Sequence, residues 1–151
     1  MQNLLAGQRV LITQAHDFMG PVFCEVFAEQ GATVVARPDA LSEPDAAERV
    51  VRAAGTIDVL VANLAYPAPT TAAADVGEQE WRDTFAALVD PLPRLVRAAT
   101  PAMVARRSGK VLVIGSASAL RGMKRASTYS AARSWPMCRR WASSSRRTTC
   151  R

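Results

Sequence analysis

The 151-residue sequence predicts an α/β fold in which a parallel sheet is wound on both faces by helices. Short apolar segments, each too brief for a helix, recur along the chain and are separated by stretches with apolar residues at helical spacing. Those short segments are almost continuously apolar instead of alternating, as strands buried on both faces are. Glycines and prolines fall between the segments, where a chain changes direction.

Arg9-Val10-Leu11-Ile12-Thr13 reads as the first buried strand. A helix follows, with Val22, Phe23, Val26 and Phe27 recurring at helical spacing up to Gly31. Thr33-Val34-Val35-Ala36 is a second strand, Pro44 to Ala54 a helix ended by Gly55, and Ile57 to Ala62 a third strand. After a loop with Pro67 and Pro69, helical pattern resumes from Gln79 to Val89. Pro91 and Pro93 open a further helix that runs to about Arg107, and Gly109 ends it. Lys110-Val111-Leu112-Val113-Ile114 is the fourth strand, and it delivers Ser116 at its carboxyl end, where open α/β sheets keep their active sites. The chain shows no internal repeat and no linker.

Composition narrows the class. With 49% hydrophobic residues the chain has material for one substantial core. No apolar run reaches the roughly 18 to 20 residues of a membrane span, and Met1 to Val10 lacks the apolar stretch of a signal peptide. The expectation is a cytoplasmic protein with no membrane partner. Cys24, Cys138 and Cys150 have no metal-ligand spacing, so neither a metal site nor a disulfide framework is expected. The net charge of +6 is local: residues 134–151 hold five of the 19 basic residues and no acid, which leaves 14 basic against 13 acidic residues in 1–133. Nothing basic organises the body into a phosphate-binding face, and no nucleic-acid partner is expected.

Ser116, Tyr129 and Arg133 are the candidate catalytic residues. A tyrosine followed by arginine one helical turn later places both on one helix face, where the guanidinium charge favours tyrosinate. A free phenol titrates at about 10, so a base working near neutral pH needs that cation. Ser116 would hold the substrate oxygen. The same residues also fit a turn-capping serine and a packing tyrosine.

On these residues, and on the turn Thr13-Gln14-Ala15-His16-Asp17-Phe18-Met19-Gly20, residues 5 to 133 resemble the short-chain dehydrogenase/reductase superfamily, and more narrowly its halohydrin dehalogenase branch. The resemblance implies a Rossmann-like doubly wound sheet, of which this chain holds the first four strands. Two of the superfamily's three turn glycines are Gln14 and Phe18 here. Glycine there lets the backbone approach a pyrophosphate, so the side chains imply a site that works with no cofactor. In the dehalogenases an aromatic at the position of Phe18 lines a halide pocket; the alternative for Phe18 is a core aromatic. Arg133 stands where the oxidoreductases have lysine, and the asparagine of their proton relay aligns with Leu88. Ala62-Asn63-Leu64-Ala65 matches the superfamily's Asn-Asn-Ala-Gly segment in part, with Asn63 read as structural. His16, the sole histidine, is read as an exposed loop or pocket-rim residue.

The last 18 residues, 134–151, break the pattern. They hold two of the three tryptophans and two of the three cysteines, no glycine and no helical periodicity. Read two bases out of frame, Trp135-Pro136, Met137-Cys138 and Trp141-Ala142 must encode alanine, valine and glycine, and the remaining positions allow an amphipathic helix. The expectation is therefore one domain over 1–133 and an aberrant Arg-rich tail created by a frameshift soon after Arg133. The alternative is an arginine arm that binds nucleic acid.

The resemblance implies reversible dehalogenation of vicinal haloalcohols to epoxides and halide, in a homotetramer whose formation is doubtful for a shortened chain. One alternative is an NADP-dependent oxidoreductase, with Arg37 meeting the 2′-phosphate. Another is a non-catalytic fragment that exposes apolar surface beside its fourth strand.

Overall fold

The computed structural model describes residues 3–67, 71–72 and 74–115. Its elements run β1 (Arg9–Thr13), α1 (Gly20–Glu29), β2 (Thr33–Arg37), α2 (Ala46–Ala54), β3 (Val59–Ala62), α3 (Glu78–Leu88), α4 (Pro91–Ala105) and β4 (Lys110–Val113). All strand pairs are parallel, in the order β2-β1-β3-β4. This is the doubly wound, Rossmann-like architecture expected from the sequence. Val10 faces Val34 on one side and Val59 on the other, and Ala62 faces Val113.

Side chains that alternate along β1 and β3 build two separate cores. Leu11, Leu60 and Ala62 pack with Ala47 and Val50 of α2 and with Leu95 and Ala99 of α4. Val10, Ile12, Val59 and Val61 point the other way, toward Phe23 and Phe27 of α1. Continuous apolar strands follow directly, because each face of the sheet carries its own helix layer.

The helix boundaries have local causes. Pro21 occupies the first turn of α1 and Pro91 that of α4, where no intrahelical N–H is lost. Gly55 closes α2 with φ 70°, a conformation other residues rarely adopt. At the amino end of β3, Arg9 donates through Nε and Nη2 to the carbonyl of Ala54, and Arg106 Nη2 donates to that of Ile57.

One face was read too broadly from the sequence. Phe23 and Phe27 reach the core, but Val22 and Val26 are each 47% exposed. The helix turns Phe23, Cys24 and Phe27 to the sheet, which leaves Val22 and Val26 on the flank of that stripe. Among the described residues β4 has one strand neighbour, and Leu112 on it is 40% exposed. No helix among the described residues is long and apolar enough to cross a membrane.

Leu60 is wholly buried in the center of the larger core. Leu60→Ala is expected to lower the unfolding free energy by about 2–5 kcal/mol, checked by chemical denaturation.

Candidate active-site crevice

From β1 the chain passes through α1 to β2 on one side of the sheet, and from α2 to β3 on the other. The topological switch therefore lies between the carboxyl ends of β1 and β3, where doubly wound sheets form their ligand crevice. The turn 14–19 rises from β1 on one wall, and residues 63–66 rise from β3 on the other.

The two walls are fastened together by side chains. Thr13 Oγ1 donates to the carbonyl of Asn63 at 3.0 Å. Asn63 is wholly buried, and its Nδ2 donates to the carbonyls of Gln14 and Asp17, both at 3.0 Å. Asn63 thus has the structural place expected of it. Its Oδ1 is buried without a hydrogen-bond partner among the described residues. Gln14 completes the set: its Nε2 donates to the Ala65 carbonyl at 3.1 Å and its Oε1 accepts from the Ala65 N–H at 2.8 Å.

The turn holds two non-glycine residues at positive φ. Gln14 and Phe18 have φ of 42° and 51°, left-handed values that cost an ordinary residue about 1–2 kcal/mol each. Gly20 is irreplaceable for another reason, since a Cβ on it would lie 2.5 Å from the Ala15 carbonyl oxygen. Ala15 N–H donates to the Arg37 carbonyl, which ties the turn to the end of β2. Phe18 is 53% exposed, so it is not the core aromatic that the sequence left open. His16 is exposed in the same turn. Leu88, aligned with the relay asparagine, is a buried core residue.

Arg37 leaves β2 beside this turn and holds Asp39 through two hydrogen bonds, Nε to Oδ2 at 3.0 Å and Nη2 to Oδ1 at 3.2 Å. The guanidinium keeps the Asp39 carboxyl below the usual carboxylate range, chiefly through that hydrogen bonding. Burial pushes the Cys24 thiol up. No cluster of His, Cys, Asp and Glu that could hold a metal ion occurs among the described residues. Ser116, Tyr129 and Arg133, and the tail 134–151, lie outside the described residues. The structure follows β4 as far as Gly115, with Val113 paired to Ala62 immediately before Asn63.

The sequence did not reveal the Gln14 bridge. Gln14 was read as a side chain filling the pyrophosphate space, whereas its amide lies sideways on a main-chain pair 51 residues away. Its long-range partner is backbone, which leaves no residue-type signal.

The short chain dehydrogenase family matches residues 37–134, and the chain belongs to that family. No curated protein matches it. Among solved structures, one named a dehalogenation enzyme has a TM-score of 0.78 at 29% identity, over 87% of this chain and 63% of its own. The chain thus spans less than two thirds of that protein. A putative betaketoacyl-ACP reductase gives 0.80 at 24% identity, over 92% of this chain and 67% of its own. An NADH-dependent reductase responsible for alginate metabolism gives 0.76 at 18% identity, over 93% and 72%. The last two share the fold.

Family membership corrects the expectation of a site without a cofactor. The family is one of dehydrogenases, and membership in it points to a nicotinamide dinucleotide. The turn geometry explains why the reading from side-chain size failed. Gln14 and Phe18 hold glycine-like φ, and the Gln14 carboxamide is directed to the Ala65 main chain. The residues present fit the group: the amino end of α1 at Gly20 would take the pyrophosphate, and Asp39 and Arg37 stand at the end of β2, where a ribose is met.

Two outcomes follow. Asn63→Ala removes one hydrogen bond from each of the Gln14 and Asp17 carbonyls, which keep the Asp17 and Gly20 N–H groups as donors, and at about 0.5–1.5 kcal/mol per bond is expected to cost about 1–3 kcal/mol, read from thermal and denaturant unfolding. Asp39 is stabilising as the anion, so its contribution is present above its unfolded pKa and lost as pH falls through the lower folded value. In Arg37→Met the Asp39 pKa is expected to rise toward the ordinary value of about 4, measured by NMR titration.

Proposed function

We propose that the enzyme to which this chain belongs removes the proton of a substrate hydroxyl at Tyr129, and that its substrate is a vicinal haloalcohol, which it converts reversibly to an epoxide and halide. The observation that carries this reading is Phe18. A large aromatic at φ 51° costs conformational energy, and Phe18 keeps 53% of its surface exposed in the turn. Strained backbone of this kind gathers at ligand sites, and Phe18 lies in the turn at the carboxyl end of β1 where such a sheet meets its ligand. The 29% identity to a dehalogenation enzyme supports the same reading.

In this scheme Ser116 donates a hydrogen bond to the substrate oxygen while the Tyr129 phenolate takes its proton. Arg133 holds the phenol below its free value of about 10. The alkoxide attacks the neighbouring carbon, so that a C–O bond forms as the C–halogen bond breaks, and the halide departs beside Phe18. In reverse, halide or a small anion such as azide, cyanide or nitrite opens the epoxide, and Tyr129 returns the proton. The fragment over 1–133 would carry this machinery and the tail 134–151 none of it.

A second reading, a nicotinamide-dependent alcohol oxidoreductase, is favoured by the family match and by Arg37 at the end of β2. A bound dinucleotide would supply the hydride acceptor; Tyr129, Ser116 and Arg133 would handle the hydroxyl proton as before.

The two readings separate in one assay, in which 2-chloroethanol is followed by halide release and, with NAD or NADP added, by absorbance of the reduced nicotinamide. Halide release that falls about 10²–10⁴-fold in Tyr129→Phe is the expected result. Reduced nicotinamide without halide would establish the second reading instead.

A further inference from the structure

We infer that Gln14 is a specificity-determining residue, a side-chain strap across the switch-point crevice that competes with a dinucleotide for the main-chain N–H and C=O of Ala65. The inference rests on the fold and the crevice, and it is independent of which alcohol chemistry the site performs.

Three features set Gln14 apart from an ordinary structural glutamine. The first is direction, because its carboxamide spans from the wall after β1 to the wall after β3 and satisfies both main-chain groups of Ala65 at once. The second is redundancy. Without this bridge the turn is still held by Ala15 N–H on the Arg37 carbonyl, by Asn63 on the Gln14 and Asp17 carbonyls, and by Thr13 on the Asn63 carbonyl. The third is backbone conformation: glycine adopts φ 42° freely and glutamine does not, so a strained residue supplies a bond set that the turn's own stability does not need.

What the strap changes is the set of groups that the crevice presents. Ala65 N–H and C=O form a donor and acceptor pair at the carboxyl end of the central strands, where ligands of such sheets lie. A ribose hydroxyl, which both donates and accepts, is complementary to such a pair, and Gln14 occupies both members with the same chemistry. A dinucleotide that uses this wall must release two hydrogen bonds before it forms its own, and its affinity is lowered accordingly.

The test uses the full chain and three forms of residue 14: glutamine, Gln14→Gly and Gln14→Asn. Asparagine tolerates left-handed φ but is one methylene too short to reach both Ala65 groups. Binding of NADH and of NADPH is measured by calorimetry, and release of the strap is read from hydrogen exchange at the Ala65 amide. Both variants are expected to speed that exchange and to bind at least one dinucleotide about tenfold more tightly, a difference of about 1.4 kcal/mol. Faster exchange with unchanged or weaker affinity in both variants would make the strap purely structural and overturn the inference. Tighter binding in Gln14→Gly alone would trace the gain to backbone freedom, with the same consequence. Absence of dinucleotide binding in all three forms would overturn it too.

Discussion

Asn63, wholly buried at the end of β3, holds two carbonyls of the turn after β1, and the geometry of the crevice depends on that hold. The carbonyls of Gln14 and Asp17 accept from the Asp17 and Gly20 N–H groups inside the turn, and each has a second bond that ties it to the end of β3. Asn63 Nδ2 supplies both bonds, and Thr13 returns one to the Asn63 carbonyl. With the turn fixed in this way, α1 begins at a set height above the sheet, Phe18 stands at the mouth, and Arg37 receives the Ala15 amide on its carbonyl. A single side-chain amide thus ties the end of β3 to a turn nearly 50 residues earlier in the sequence.

The strands were legible because their signal is local. Val10 to Ile12 and Val59 to Ala62 are apolar at consecutive positions, and in a chain with helices between them such segments have no other stable place than the interior of a parallel sheet. The start of α4 was equally local, marked by Pro91. Helix faces were harder. Val22 and Phe23 are adjacent and both apolar, and only the position of the sheet decides that Phe23 turns inward and Val22 outward.

The candidate site was legible in its residue types and illegible in its connections. The glycine positions at 14 and 18 were recognised through the family resemblance, and both residues have left-handed φ in the structure. The inference from side-chain bulk to cofactor absence did not hold, because where a side chain goes depends on partners that the sequence does not mark. Gln14 found the Ala65 main chain, and family membership points to a nicotinamide dinucleotide. Asn63 was read as structural from its place at a strand end, and the structure adds which backbone it holds. Ser116, Tyr129 and Arg133 follow the last described strand and rest on spacing and resemblance.

The pair of cores on opposite faces of the sheet has a bearing on how such a protein can diversify. In β1 and β3, odd and even positions alike are buried, so no register of either strand is free to drift toward polar residues. Sequence change without loss of the fold is thereby driven to the carboxyl-end turns and to the outer faces of the helices. Those turns are also the walls of the crevice, and the same burial that makes the sheet intolerant leaves the site as the part of the molecule where new chemistry is most accessible to evolution.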